Sequence, residues 1–327
     1  MRNLLSKVKL PREIFFSSLY VIANLAAPAA TFALLPILTR HLTLEEIGGI
    51  FIFQAILLAA VNIVAVGSMS LLQAIYFRVR DQFSVYLASS MVTSFVVWSI
   101  IFFLGYWKAE KLFLGLGLPT MIGLIAIFAS LGAVLQAVYL SLLQIREQPK
   151  QYLIVLVSVH LVSFLVSVAL IFLVSPSLMS RVIGIVVGTL CGASAALYYL
   201  GREMDSAPRF EVMRELFISG IPIIFHSSAM LLIAQTDKFL IGNLLSLSEV
   251  GTYGVSAQLA SVVQIVAGGM AMAYAPSLYK RLAAPHQDDG GKSSKIFRLF
   301  SIILYLFLVC YVVFVHYFNP ILFGPTF

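Results

Sequence analysis

Residues 235–256 read QTDKFLIGNLLSLSEVGTYGVS. Asp237 and Lys238 close a long apolar run, a short polar turn ends in Glu249, and Gly251 opens a second run that carries no charge until Lys280. This pattern predicts a membrane hairpin. The same design occurs near the N-terminus, where residues 40–51 read RHLTLEEIGGIF. A shift of 203 positions (251 − 48) lays Leu42, Leu44, Glu46 and Gly48 on Leu245, Leu247, Glu249 and Gly251 without a gap, and then Met69, Tyr76 and Arg78 on Met272, Tyr279 and Arg281. A repeat in one orientation is the mark of a transporter built from two similar halves.

Composition fixes the solvent. The chain is 61% hydrophobic and 11% charged, with mean hydropathy +1.00, whereas a soluble domain is about 25% charged. Nine intervals contain no Asp, Glu, Lys or Arg: 14–39, 47–77, 82–107, 112–145, 151–180, 182–201, 216–236, 250–279 and 299–327. Each reaches the ~20 residues that carry a helix across ~30 Å of hydrocarbon. The runs are apolar all round, which excludes the alternating ~10-residue segments of a spanning barrel. The expected fold class is therefore all-α, a polytopic membrane protein of about nine transmembrane helices. Basic residues before Ile14 and the stretch Ala27, Pro28, Ala29 have the elements of a cleavable signal. The apolar run nevertheless continues to Thr39 and its end belongs to the repeat, so it reads as the first span.

The net charge of +7 encodes topology. Taking alternate connections, 16 of the 21 Lys and Arg fall on one side, leaving Arg40, Lys108, Lys111, Arg181 and Lys238 on the other. That skew predicts a cytoplasmic N-terminus and an outer C-terminus. No connection is long enough for a basic, aromatic soluble surface, so nucleic acid is not an expected partner. Cys191 and Cys310 fall inside spans as small apolar packers, and no metal spacing is present.

Within the spans, Pro28 and Pro36 would bend the first and Asn24 is its strongest polar group. Asn62 and Gln73, eleven residues apart in the second, would share a face turned to the interior. His160 in the fifth reads as a buried, hydrogen-bonded residue. Gly184, Gly188, Gly192 and Ala196 in the sixth form a close-packing seam. Ser219, His226 and Asp237 in the seventh lie near one line, with Pro222 bending the helix. A loop of mixed charge is expected from Tyr279 to Gly291. The divisions expected are a six-helix bundle at 1–201, a charged linker with Pro208 at 202–215, and a partial second bundle of three helices at 216–327.

No carboxylate pair, Cys/His cluster, nucleophile elbow or phosphate loop stands out, which argues against an enzyme on a soluble substrate. Ionisable groups in or at the ends of spans are the better candidates, because burying them is costly. Asp237 beside Lys238 is the one oppositely charged pair next to a deep apolar run away from the cytoplasm. Asp237, Lys238 and His226 overlay Leu34, Leu35 and Ala23 in the repeat, so these charges are additions to one lobe.

The stretches FALLPILTRHLTLEEIGGIF (32–51), TDKFLIGNLLSLSEVGTYGVSAQLA (236–260), YAPSLYKR (274–281) and NPILFGPTF (319–327) resemble the polysaccharide biosynthesis proteins, or Wzx-type flippases, of the multidrug/oligosaccharidyl-lipid/polysaccharide exporter superfamily. The resemblance implies a MATE-like arrangement of two six-helix bundles around a cavity that opens alternately to either side. It implies a lipid-linked oligosaccharide as substrate, carried on undecaprenyl diphosphate across the bacterial inner membrane, among membrane lipids and beside a polysaccharide polymerase and glycosyltransferases. It implies no cofactor, with H⁺ or Na⁺ as the candidate coupling ion. Basic residues that line the family's cavity are matched by Arg40 and Lys238; the family's common Asp-Arg is Asp237-Lys238 here, a point charge in place of a planar clamp. The candidate substrate-binding residues are thus Arg40, Lys238, Asp237, His226 and Asn24. A cation-coupled drug antiporter of the same fold is the alternative, although the first span offers Asn24 where an acidic ion site would stand; an integral-membrane glycosyl- or acyltransferase is a third. With six spans before the linker and three after it, the chain is expected to be truncated at its C-terminus, or else to work as a dimer.

Overall fold

The computed structural model describes residues 12–108, 113, 117–282 and 292–322. Among these the regular structure is helical, with no strand, and nine helices are long and apolar enough to cross a membrane. They are α1 (Arg12–His41), α2 (Leu44–Ala65), α3 (Phe83–Trp107), α4 (Thr120–Ile145), α5 (Pro149–Leu173), α6 (Leu178–Gly201), α7 (Phe210–Leu244), α8 (Leu247–Leu282) and α9 (Lys292–Leu322). The chain is a multi-pass membrane protein. It divides into two compact units, Met1–Thr252 and Tyr253–Phe327.

In the first unit α5 packs along α6 and α1, α4 lies against α2 and α6, and α3 lies against α4. Their shared core gathers Ala23, Val64, Leu72, Leu87, Val134, Val138, Ala196 and Leu200, all close to fully buried. Apolar residues such as Phe103, Leu165, Phe172 and Leu197 remain more than half exposed; in hydrocarbon such a surface costs nothing. The glycine seam of α6 places its members against α5 and α4. A Cβ on Gly184 would meet Ser167 Oγ at 2.0 Å, one on Gly188 the Val159 carbonyl at 2.7 Å, and one on Gly192 Gln136 Oε1 at 2.5 Å. Small residues there let the backbones approach.

The connection after α6 is tied down. Ser206 N–H donates to Ser84 Oγ (3.1 Å) and Arg209 N–H to Ser89 Oγ (3.1 Å). Arg146, just beyond α4, makes a bidentate pair with Glu203 and donates to Tyr76 OH at 3.3 Å. The Glu203 carboxylate holds the Arg146 guanidinium above its usual range. In the second unit, Tyr311 OH of α9 donates to the Leu259 carbonyl of α8 (2.9 Å).

Several expectations change. The second span is not one helix. It breaks at Val66 (φ 48°) and Gly67 (φ 68°), both left-handed, and a short helix Ser68–Ile75 follows. Gly67 adopts that conformation freely, but β-branched Val66 stores about 1 to 3 kcal/mol of strain there. The break is clamped from α7, where a Cβ on Gly220 would lie 2.2 Å from the Val66 carbonyl oxygen. Asn62 and Gln73 therefore sit on different helices, the former donating to Ser228 Oγ of α7 (2.9 Å), the latter reaching Gln144 Oε1 (3.5 Å). α7 starts at Phe210, inside the expected linker, with Glu211 favourably placed in its first turn. It also runs past Asp237 and Lys238 to Leu244, because two adjacent charges do not break a helix that can turn them to its polar neighbours.

α8 continues through Tyr279 to Leu282, so the expected loop begins within a helix; residues 283–291 lie outside the described residues. Cys191 and Cys310 are exposed on helix surfaces rather than packed. His160 is half-buried and, among the described residues, makes no hydrogen bond. The side chains of Met272, Tyr279 and Arg281, and the residues of NPILFGPTF beyond Leu322, are likewise outside what is described.

Candidate functional site

The repeated segment builds one end of the first unit. Thr43 caps α2: its Oγ1 accepts from Glu46 N–H (3.3 Å), and the Glu46 carboxylate accepts in return from Thr43 N–H (3.0 Å). This reciprocal box satisfies donors that a helix start leaves open. Glu46 Oε1 also accepts from Leu178 N–H (3.3 Å), so one carboxylate holds the starts of α2 and α6. At the equivalent place Ser246 Oγ accepts from Glu249 N–H (3.2 Å) at the start of α8. The two helix starts then meet through Gly48 and Gly251.

Arg40 lies exposed in the last turn of α1, next to His41, whose ring meets Phe172 edge-on at 4.9 Å. Lys238 projects from α7 toward α2. Its Nζ donates to Gln235 Oε1 (2.8 Å) and stands 5.6 Å over the ring of buried Phe51. Phe51 is two turns into α2, about 10 Å from its start, so both cations are attached to the same end of that helix. Among the described residues Lys238 makes no ion pair within 4 Å; a neutral amide oxygen and an aromatic face hold it, with the Asp237 carboxylate next to it in the chain. Asp237 is half-buried and its Oδ1 accepts from Lys238 N–H (2.8 Å).

The other two candidates stand elsewhere. His226 is exposed on α7, about three turns before Asp237. Asn24 joins α1 to α5: its amide donates to the Tyr20 carbonyl (2.9 Å) and its Oδ1 accepts from Tyr152 OH (3.1 Å), with the two tyrosine rings edge-on at 5.1 Å. Its polar capacity is engaged within the bundle.

The family model for polysaccharide biosynthesis protein matches residues 16–281, well over half of the chain. The chain belongs to the polysaccharide biosynthesis protein family. Protein 1 of the Lsg locus of Haemophilus influenzae is 25% identical over 279 residues, covering 81% of this chain and 66% of the relative. This member of the family thus spans about two thirds of the length of that relative. A solved structure named protein A superposes at TM-score 0.58 with 15% identity, covering 92% of this chain and 73% of that one, which is a likeness of fold. A MOP superfamily transporter from Pyrococcus furiosus superposes at TM-score 0.49 with 15% identity, covering 94% of this chain and 70% of that one.

Three features of this family member escape a reading of the sequence. Arg181, counted with the outer connections, is 7% exposed in the first turn of α6 and donates across to Ser163 Oγ (3.1 Å) and Ser167 Oγ (2.9 Å) of α5. The four-residue spacing of those serines, opposite Gly184, is the one sequence signal that could have found it. Gln235 and Phe51 as the partners of Lys238 carry no such signal, because nothing in either segment names the other. Among the described residues no group of three or more His, Cys, Asp or Glu could hold a metal ion.

Proposed function

We propose that this chain acts in a flippase that moves an undecaprenyl-diphosphate-linked oligosaccharide, the repeat unit of an O-antigen, capsule or exopolysaccharide, to the outer leaflet of the bacterial inner membrane. Movement is by alternating access, with the N-terminus in the cytoplasm and H⁺ or Na⁺ as the driving ion. Family membership supports transport of a saccharide rather than enzymatic work on one. The observation that carries the reading is Lys238: a half-buried ammonium in a membrane helix, held by Gln235 and Phe51 and, among the described residues, with no ion pair. A cation kept charged in a poorly hydrated place attracts a diphosphate more strongly than it would in water. Arg40, at the same end of α2, adds the second positive charge. Asp237 and His226 set the local charge as access changes, and Asn24 joins α1 to α5. Polymerase and glycosyltransferases of the same assembly line are the expected neighbours.

Export of polysaccharide in a flippase-deficient strain tests this. Lys238→Ala and Arg40→Ala should each reduce export at matched membrane levels, Lys238→Arg should preserve it, and Lys150→Ala should leave it unchanged. Undiminished export by both alanine variants would remove these residues from the site.

A further inference from the structure

The first unit carries a groove of about 350 Å³ between α3 and α7. α3 contributes Thr93, Val96, Val97 and Ile100, and α7 contributes Phe210, Met213, Arg214 and Phe217. The α3 wall follows one helical face at the middle of a 25-residue membrane helix, so the groove opens in the apolar belt, where its natural filling is hydrocarbon. Val96, Ile100, Phe210 and Phe217 are all more than 40% exposed, which leaves the walls open to such a filling.

One cation interrupts this apolar lining. Arg214 sits between Phe210 and Phe217 on the same face of α7, and among the described residues it makes no hydrogen bond or ion pair. The adjacent carboxylate, Glu215, is engaged by Tyr86 OH (3.1 Å), and Arg202 lies over the Tyr198 ring at 4.2 Å. Arg209, one residue before Phe210, is tied through its backbone N–H to Ser89 Oγ. An apolar trough whose α7 wall carries a guanidinium with no ion pair among the described residues, Glu211 standing three residues before it on the helix, has the chemistry to take an amphiphile with an anionic head. Its charge also falls on the cation-rich side of the chain.

We propose that the α3–α7 groove is a binding site for an anionic glycerophospholipid, one acyl chain lying along Val96, Val97, Ile100 and Phe217 and the phosphate on Arg214. The site is separate from the substrate cations and does not rest on the transport reading. A bound lipid there braces the start of α7 against α3, at the place where Ser84 and Ser89 already tie the preceding connection.

The test is native mass spectrometry of the purified chain titrated with phosphatidylglycerol or phosphatidylcholine of the same acyl composition. The chain should retain one phosphatidylglycerol about fivefold more tightly than phosphatidylcholine, the preference that roughly one basic residue confers near a membrane surface. Arg214→Ala should abolish that preference while both lipids still bind, and Val97→Phe, which fills the trough, should weaken both. Equal retention of the two lipids by the unaltered chain, or a preference that survives Arg214→Ala in a folded variant, would overturn the assignment. So would displacement of phosphatidylglycerol by equimolar undecaprenyl phosphate, which would give the groove to the transported carrier instead. Size-exclusion profiles matched to the unaltered chain guard against misfolding, and Arg214→Lys, which keeps the charge, should keep most of the preference.

Discussion

Gly48 and Gly251 occupy each other's missing side-chain space. A Cβ on Gly48 would lie 1.8 Å from the Leu247 carbonyl oxygen, and one on Gly251 would lie 2.1 Å from the Leu44 carbonyl oxygen. Leu44 and Leu247 are related by the same 203-residue shift as the two glycines (247 − 44 and 251 − 48), so the contact is reciprocal, as at an interface between identical subunits. The starts of the two equivalent helices cross at a point of pseudo-twofold symmetry, each with its own Thr or Ser cap and following glutamate.

Because backbone, not a flexible side chain, stands in the way, Gly48→Ala and Gly251→Ala must push α2 and α8 apart. Overpacking of this kind costs about 1 to 3 kcal/mol. Gly201→Ala, where nothing lies within 4 Å, should be neutral or mildly stabilising. Apparent melting temperatures in detergent check the order. Equal behaviour of all three variants would show that the crossing is not tight.

Glu46 should matter more than its repeat mate. Its carboxylate accepts from Thr43 N–H, Thr43 Oγ1–H and Leu178 N–H, whereas among the described residues the Glu249 carboxylate accepts none. Glu46→Ala should therefore lose about 2 kcal/mol and Glu249→Ala under about 0.5 kcal/mol. Thermal unfolding of the two single variants decides it, and a larger loss at Glu249 would contradict the bridging role.

Arg181 sets up an inequality. Ser163→Ala with Ser167→Ala leaves a buried guanidinium without its partners and should cost about 3 kcal/mol. Arg181→Met removes the charge together with its need for partners, and should stay within about 1 kcal/mol of the unaltered chain or exceed it. A greater loss in Arg181→Met than in the double alanine variant would mean that the charge itself is required.

Orientation follows from the 16 to 5 partition of cations. Reporter fusions after Arg78, Trp107, Lys150 and Arg202 should report inside, outside, inside and inside. An outside signal at Lys150 would invert the proposed topology.

For the Arg146–Glu203 pair the direction of the arginine shift fixes the pH behaviour. A guanidinium whose folded-state pKa is raised contributes stability that is fully present below its unfolded value and lost only above it. The effect of Glu203→Gln on melting, about 1 kcal/mol for a pair that is partly exposed, should thus be constant from neutral to moderately alkaline pH. A loss that fades in that range would point to a different partner.

Charge-free runs made the nine helices legible, since exclusion of Asp, Glu, Lys and Arg is what hydrocarbon imposes on each segment separately. Repeat spacing alone also identified Glu46/Glu249 and Gly48/Gly251 as equivalent. Of the candidate site residues, Lys238, with Asp237 beside it, reaches α2, and Arg40 closely precedes that helix; Asn24 and His226 lie elsewhere, because spacing along one helix says nothing about its neighbours.

The amino-acid sequence by itself determined the class, the order of the spans, and the internal symmetry, because lipid is a uniform solvent and reads hydropathy residue by residue. Tertiary structure alone decided the rest. Val66 and Gly67 break an unbroken apolar run where Gly220 of α7 presses on the Val66 carbonyl, and Arg181 is buried because Gly184 lets two serines of α5 come within hydrogen-bonding distance. Lys238 has Gln235 and Phe51 as its close side-chain partners because of the way α7 lies along α2. Each depends on which helices lie side by side, and in a bilayer, where every apolar face is equally content against lipid, that choice is made by close packing and hydrogen bonds between residues far apart in the chain.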